Sequence, residues 1–117
     1  MQKYKLIYYE LENGRRPAKE FVDSQDEKMR AKITFYMDYL KERGPLVRMP
    51  YSRAMGKGLF ELRIISGNNI ARILYFFCKG NKIILTNGFI KKTQKTPASE
   101  LELARKYKED YERRNRQ

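Results

Sequence analysis

The sequence contains no histidine and a single cysteine, Cys78, in 117 residues. Without histidine there can be no Ser-His or Cys-His nucleophile pair, no His-ligated zinc and no histidine general base. One cysteine excludes an intramolecular disulfide and a cysteine cluster for a metal, and it suits a reducing cytosol. Any catalysis must therefore use Glu, Asp, Lys, Arg, Tyr or Ser, and we expect neither a metal site nor a cofactor.

Long apolar runs are missing as well. No stretch approaches the ~20 apolar residues of a membrane-spanning helix, and residues 1–5 lack the apolar core of a signal peptide. We therefore expect a cytoplasmic protein that does not bind a membrane. The 41% apolar and 13% aromatic residues are enough for a hydrophobic core. The length suits one domain that spans residues 1–117.

Acidic side chains are scarce in the middle of the chain. The whole sequence has 26 Lys and Arg against 14 Asp and Glu, a formal net charge of +12. Residues 46–97 contain ten of the basic side chains but only one acidic one, Glu61. A segment of one sign repels itself, so within a folded domain it typically marks a surface that binds a polyanion. Charge alone favours nucleic acid as the partner, with a merely soluble basic surface as the alternative.

The pattern of apolar residues and turn residues predicts an α+β fold in the order β-α-α-β-β-β-α. We expect strands at residues 4–11, 59–65, 70–78 and 82–90 and helices at 17–23, 24–44 and from 97 onward. Ser24 and Glu27 fit a capping box at the start of the second helix. Thr96 is expected to cap the last helix, with Pro97 in its first position. The three helices should cover one face of a small antiparallel sheet.

Two Gly-Asn pairs fix the register of the predicted hairpins. Two-residue loops at Gly67-Asn68 and Gly80-Asn81 place Arg63 opposite Arg72. The same register puts Phe89 beside Arg72 on the following strand. Two arginines directly opposite each other destabilise a sheet unless something neutralises them. Either Glu61, as a structural ion pair, or a bound phosphate can do so.

Alternation along the strands then sorts the side chains onto two faces. The expected apolar face contains Phe60, Leu62, Ile64, Ala71, Ile73, Tyr75, Phe77, Ile84 and Ile90. The expected polar face is concave and partly open, and contains Glu61, Arg63, Arg72, Asn87, Phe89 and Lys91. A carboxylate among cations stays ionised at neutral pH and can accept a proton from a nucleophile nearby.

Further candidates for RNA contact flank this polar face. Lys57 lies between two glycines in a loop, and Arg53 lies just before it. Phe89 and Tyr75 are candidates for stacking on bases. Tyr75 lies on the expected apolar face, however, which favours a position in the core. Lysines also crowd the exit of the last strand, at positions 91, 92 and 95. For these loops the alternative is a solvated surface.

Three short motifs resemble a known toxin family. They are G-L-F-E-L-R at residues 58–63, A-R-I-L-Y-F at 71–76 and G-F-I-K-K-T-Q-K-T-P at 88–97. In this order and spacing they resemble the phage-derived, HigB-like branch of RelE/ParE-type toxins. The resemblance covers nearly the whole chain and implies a RelE-like fold.

The resemblance also implies an activity, which is metal-independent cleavage of mRNA, typically on the ribosome, by attack of a ribose 2′-hydroxyl on the adjacent phosphate. Glu61 matches the general base, and Arg63 and Arg72 match the arginines that hold the phosphate. The late catalytic segment, where relatives have His or Tyr, holds lysines here: Lys91, Lys92 and Lys95. One of them would be the general acid.

The resemblance further implies a partner and leaves two alternatives. The partner is an antitoxin, commonly a helix-turn-helix DNA-binding protein, and acidic segments on it would complement the +12 charge. One alternative is a ParE-like poison of DNA gyrase on the same scaffold. The other is a nucleic-acid-binding module without catalysis.

Overall fold

The computed structural model describes residues 3–91 and 95–116. In these residues the fold is α+β, as predicted, with a five-stranded sheet and three α-helices. The strands are β1 Lys5–Tyr8, β2 Ser52–Gly56, β3 Leu59–Ser66, β4 Asn69–Cys78 and β5 Lys82–Lys91. The helices are α1 Pro17–Asp23, α2 Glu27–Arg43 and α3 Ala98–Arg114, and a short 3-10 turn, Gly44–Leu46, follows α2.

The sheet differs from the prediction at both of its edges. Its strand order is β1-β5-β4-β3-β2, and β2 was not predicted. The β2 sequence, S-R-A-M-G, has no β-branched residue, so its pairing with β3 rather than local preference makes it a strand. At the other edge β1 runs parallel to β5, so the sheet is mixed rather than purely antiparallel.

The hairpin register is confirmed at the charged residues. Arg63 pairs with Arg72 across β3 and β4, and Phe89 pairs with Arg72 across β4 and β5. Glu61 lies opposite Leu74, as the same register requires. The Gly67-Asn68 loop has the predicted two residues, because Ser66 pairs with Asn69 across it. The predicted two-residue loop at Gly80-Asn81 is wrong, because Cys78 pairs with Lys82 and three residues lie between them.

A β-bulge in β5, between this loop and the charged residues, offsets the extra loop residue and restores the predicted register at Arg72 and Phe89. Leu74 pairs with Asn87, but the next residue, Tyr75, pairs with Leu85, so Thr86 is the extra residue. Between the loop and the bulge, the faces of β5 are therefore the reverse of those predicted. Ile84 therefore packs with Leu74 on the face that also holds Glu61, which we call the second face. Its predicted place on the first face, with Tyr75 and Phe77, is wrong.

Two predicted helix caps are also wrong. Asp26, not Ser24, caps α2, because its carboxylate accepts a hydrogen bond from the Met29 amide at 2.8 Å. The Ser24 hydroxyl instead donates to the carbonyl oxygen of Phe21. Pro97, not Thr96, occupies the N-cap position of α3, where no side chain makes a capping hydrogen bond. The Thr96 hydroxyl donates to the carboxylate of Glu61 instead.

The helices pack on both faces of the sheet, so the prediction of a single covered face is wrong. The first core cluster joins Ile33 and Leu40 of α2 to Leu62 and Ile73. The second cluster packs Ala104 of α3 against residues of the opposite face, which include Leu59, Leu74, Phe76 and Ile84. Within the two described ranges, no helix is long and apolar enough to cross a membrane.

Candidate functional site

A row of charged side chains crosses the second face of the sheet beside the start of α3. Arg63, Arg72 and Phe89 are neighbours on three adjacent strands. Arg53 of β2 pairs with Glu61, one step away along β3. Lys91 lies two residues after Phe89, so its side chain shares that face. We call Arg53, Arg63, Arg72 and Lys91, together with Glu61, the basic cluster.

Glu61 and Arg72 form a buried ion pair at the centre of the basic cluster. The Arg72 Nη1 donates to Oε1 of Glu61 at 2.6 Å, and the two side chains are 1% and 0% exposed. The Thr96 hydroxyl donates to the second carboxylate oxygen, Oε2. The prediction that Glu61 and Arg72 lie on an open surface is therefore wrong. The reason is that Thr96 and α3 pack on this part of the face.

Lys91 is the unusual member of the basic cluster. Its side chain is 5% exposed, and its buried Nζ has no hydrogen-bond partner among the residues that the structure describes. Burial lowers the pKa of Lys91, and so do the nearby guanidinium groups of Arg72, Arg53 and Arg63, while Glu61 opposes them. Lys91 thus gives up its proton more readily than an exposed lysine does.

The basic cluster has a net positive charge. Four cations surround one carboxylate, and the carboxylate is already bonded to Arg72. The Nε of Arg63 is also buried without a hydrogen-bond partner in the described part of the chain. Arg53 is exposed and Phe89 half-buried, so the cluster is open to solvent at its rim. Such a site is suited to an oxyanion that accepts several charged hydrogen bonds.

Two candidates for RNA contact lie away from the basic cluster. Lys57 is exposed in the turn between β2 and β3, six positions before Arg63, which is about 20 Å at ~3.3 Å per residue. Tyr75 is 1% exposed in the first core cluster, where its hydroxyl bonds that of Ser52. Burial raises the pKa of Tyr75 to about 12. The core position that its strand face favours is therefore confirmed for Tyr75, and its candidacy for stacking on a base is wrong.

Of the predicted catalytic lysines that follow β5, Lys92 and Lys95, the structure describes only Lys95. Lys95 is exposed in a bend directly before Thr96. Lys92 lies outside the described residues. No group of three or more His, Cys, Asp or Glu side chains comes together within residues 3–91 and 95–116 in a way that suits a metal ion.

Two buried polar side chains, those of Thr96 and Asn87, join the sheet to α3, and neither contact was predicted. Thr96 was expected to cap a helix, yet it binds Glu61. Asn87 is 3% exposed and donates through Nδ2 to the backbone oxygen and the carboxylate of Glu100, at 3.2 and 2.9 Å. The position of Asn87 on the polar face was predicted, but its partner depends on where α3 packs.

Comparison with known proteins now places the chain in a family. The model of the family described as Phage derived protein Gp49-like (DUF891) matches residues 20–109. The chain belongs to the Gp49-like family. This is a RelE-like, toxin-like family, and the matched range contains every residue of the basic cluster as well as Thr96. A search of curated proteins found no match for this Gp49-like chain.

Proposed function

We propose that this Gp49-like protein is the toxin of a type II toxin–antitoxin pair and that it cleaves mRNA at the basic cluster. The observation that supports this most is the Lys91 amine, which is buried without a described partner among three arginines. A fold that needed only stability would have an apolar residue there. The toxin-like character of the family and the likeness to HigB-like toxins point the same way.

The chemistry that fits these residues is transesterification within the RNA. The ribose 2′-oxygen bonds to phosphorus, the bond from phosphorus to the 5′-oxygen breaks, and a 2′,3′-cyclic phosphate remains. Half-buried Arg63 stabilises the charge that builds on the phosphate oxygens, and Arg72, which is buried on Glu61, adds its positive charge at longer range. Lys91 donates a proton to the leaving 5′-oxygen. The 2′-hydroxyl proton passes to solvent, since the predicted base, Glu61, is buried behind Arg72 and Thr96.

In this proposal the exposed cations bind the RNA rather than take part in the reaction. Arg53 and Lys95 lie at the rim of the cluster and attract the RNA backbone, and half-buried Phe89 offers a ring to a flanking base. The substrate is mRNA on the ribosome, in the cytoplasm. The partner that restrains the toxin is an antitoxin with acidic segments and a helix-turn-helix DNA-binding domain.

Mapping of mRNA 5′ ends in cells tests the proposal. We would express the wild type, Arg63→Ala and, as a matched control that also removes one positive charge, Lys79→Ala in the exposed turn after β4. The wild type and the control should stop growth and create new 5′ ends. Arg63→Ala should lower cleavage about 100-fold, as loss of one transition-state donor does.

Two results would contradict the proposal. Growth arrest with intact transcripts and accumulating DNA breaks would replace the nuclease with a gyrase poison. Arrest without either lesion would point to binding without catalysis. If Arg63→Ala stayed as active as the wild type, the assignment of the phosphate clamp would be wrong.

A further inference from the structure

Thr96 is the neutral member of a buried chain of hydrogen bonds. Its hydroxyl donates to Oε2 of Glu61, and Arg72 donates to Oε1 of the same carboxylate. The three side chains are at most 4% exposed. The chain of bonds therefore links the entrance of α3 to two neighbouring strands, β3 and β4, at the centre of the basic cluster.

The start of α3 lacks a side-chain cap although Thr96 stands next to it. A Ser or Thr side chain at the N-cap stabilises a helix. Pro97 fills the N-cap position without any side-chain hydrogen bond, and the Thr96 hydroxyl is buried at Glu61. Satisfying the carboxylate thus takes precedence over capping the helix.

The identity of the donor to Oε2 decides how much free charge the cluster keeps. A buried carboxylate oxygen needs a hydrogen-bond donor. Lys91 is close enough for Glu61 to act on its pKa, and Arg63 has a buried Nε without a described partner. Either cation would bind Oε2 if that oxygen lost its donor. The Thr96 hydroxyl is a neutral donor, so its hydrogen bond to Oε2 leaves both of these cations unpaired with Glu61.

We propose that Thr96 is a positioning residue that holds Glu61 on Arg72 and so keeps Lys91 free to serve the RNA. This inference rests on the proposed function and deepens it, since it names what keeps the proton donor available. Without the Thr96 hydroxyl, Lys91 turns to Glu61 and is lost to the reaction. Glu61 is then itself a positioning residue and takes no proton from the substrate.

Two substitutions at position 96 separate this role from simple packing. Thr96→Val keeps the shape but removes the hydroxyl, whereas Thr96→Ser keeps the hydroxyl and removes a methyl group. Thr96→Val should lower kcat for mRNA cleavage about 10- to 100-fold, the scale of a misplaced catalytic group, with KM changed by less than about threefold. Thr96→Ser should keep kcat within about threefold of the wild type. Equal losses in both variants, or no loss in Thr96→Val, would overturn the proposal.

The pH profile provides a readout that a packing defect would not move. A general acid works only while protonated, so activity falls as the pH rises through its pKa. In the wild type, Arg53 of β2, Arg63 of β3 and Arg72 of β4 lower the pKa of Lys91, and Glu61 opposes them. An ion pair between Lys91 and Glu61 raises that pKa. The alkaline limb of Thr96→Val should therefore move to higher pH, whereas an unmoved limb would contradict the proposal.

An NMR titration of the Lys91 amine in the whole protein keeps the test independent of catalysis. The Lys91 signal is assigned by its absence in Lys91→Met, and thermal melts confirm that each variant folds. Thr96→Val should raise the pKa of Lys91 above its wild-type value, and Thr96→Ser should leave it unchanged. A protein that cuts no RNA would overturn the proposed function alone, while the titration would still decide the role of Thr96.

Discussion

Two polar clusters lie at opposite ends of α3, and they differ in charge balance. At the C-terminal end, the Tyr9 hydroxyl donates to Asp110 at 2.5 Å. Arg113 and Arg114 donate to the same carboxylate at 2.5 and 2.9 Å. Tyr9 also stacks on Tyr107, with the ring centroids 4.6 Å apart. We call Tyr9, Asp110, Arg113 and Arg114 the Asp110 cluster, and it is a satisfied anchor of α3 to the sheet.

The basic cluster at the N-terminal end is not satisfied in this way. Glu61 has donors for both oxygens, but the Nζ of Lys91 and the Nε of Arg63 are buried without hydrogen-bond partners in the described parts of the chain. The cations are also deeper here. Arg72 is 1% exposed, whereas the side chains of Arg113 and Arg114 are 68% and 39% exposed.

The contrast separates a structural network from a binding site. Buried charges without partners cost folding free energy, and proteins keep such costs mainly where a ligand or a reaction needs them. The Asp110 cluster stabilises the fold without needing a ligand. In the basic cluster one carboxylate faces four cations, and in the proposed function the RNA phosphodiester supplies further negative charge.

The largest expected effect comes from removing the carboxylate of the basic cluster. Glu61→Ala leaves Arg72 buried beside three other cations, and breaking a buried ion pair costs about 3–5 kcal/mol. Urea unfolding at neutral pH measures the loss. A loss below about 1 kcal/mol would show that Glu61 does little to neutralise the cluster, and the contrast with the Asp110 cluster would fail.

A gain in stability is expected at Lys91. Lys91→Met replaces a buried amine without a described partner by an apolar side chain and should stabilise the fold by about 1 kcal/mol while abolishing cleavage. Because the pKa of Lys91 is lowered in the fold, the unfolded chain binds the proton more tightly. Wild-type stability should therefore rise with pH between the folded pKa and the ordinary lysine value.

Lys91→Met should lack that contribution to the pH dependence, and urea unfolding at several alkaline pH values checks it. A less stable Lys91→Met protein would mean that the amine has a stabilising partner in the free protein. The account of an unsatisfied cluster would then be wrong.

The smallest effect is expected at the Asp110 cluster. Its arginines reach solvent, so Asp110→Asn should cost roughly a third or less of the loss in Glu61→Ala and leave mRNA cleavage unchanged. The hydrogen bond from Tyr9, followed by Arg114, lowers the pKa of Asp110. Its contribution is therefore present above the unfolded pKa and disappears as the pH falls through the folded one. Thermal melts at neutral and acid pH measure this, and impaired cleavage would contradict the assignment.

The sequence predicts the charged row well because local rules determine most of it. Gly67-Asn68 sets the length of the first loop, and strand alternation then places Arg63 opposite Arg72. Phe89 is where it was predicted because the bulge in β5 offsets a second loop that is one residue longer than expected. The bulge at Thr86 was not predicted, although Asn87 and Gly88 follow it directly and a glycine inside a strand often marks a bulge. Between the loop and the bulge the faces of β5 are the reverse of those predicted, and Ile84 was misplaced as a result.

The remaining misses depend on contacts between residues far apart in the chain. A strand as short and polar as β2 exists through its pairing with β3. The burial of Glu61 follows from the packing of α3 on the second face, and local patterns do not say which face a helix covers. Thr96 matched a helix-cap pattern, yet a carboxylate 35 residues away in sequence takes its hydroxyl.

The most direct test of the basic cluster compares Lys91→Arg with the wild type on mRNA in a reconstituted translation reaction, with the chemistry of the new RNA ends as the readout. Arginine keeps the positive charge but stays protonated, so it cannot serve as the general acid. The wild type should leave 2′,3′-cyclic phosphates, and Lys91→Arg should still bind while cutting at least about 100-fold more slowly. Equal rates in the two proteins, or ends that bear a free 3′-hydroxyl, would contradict the account.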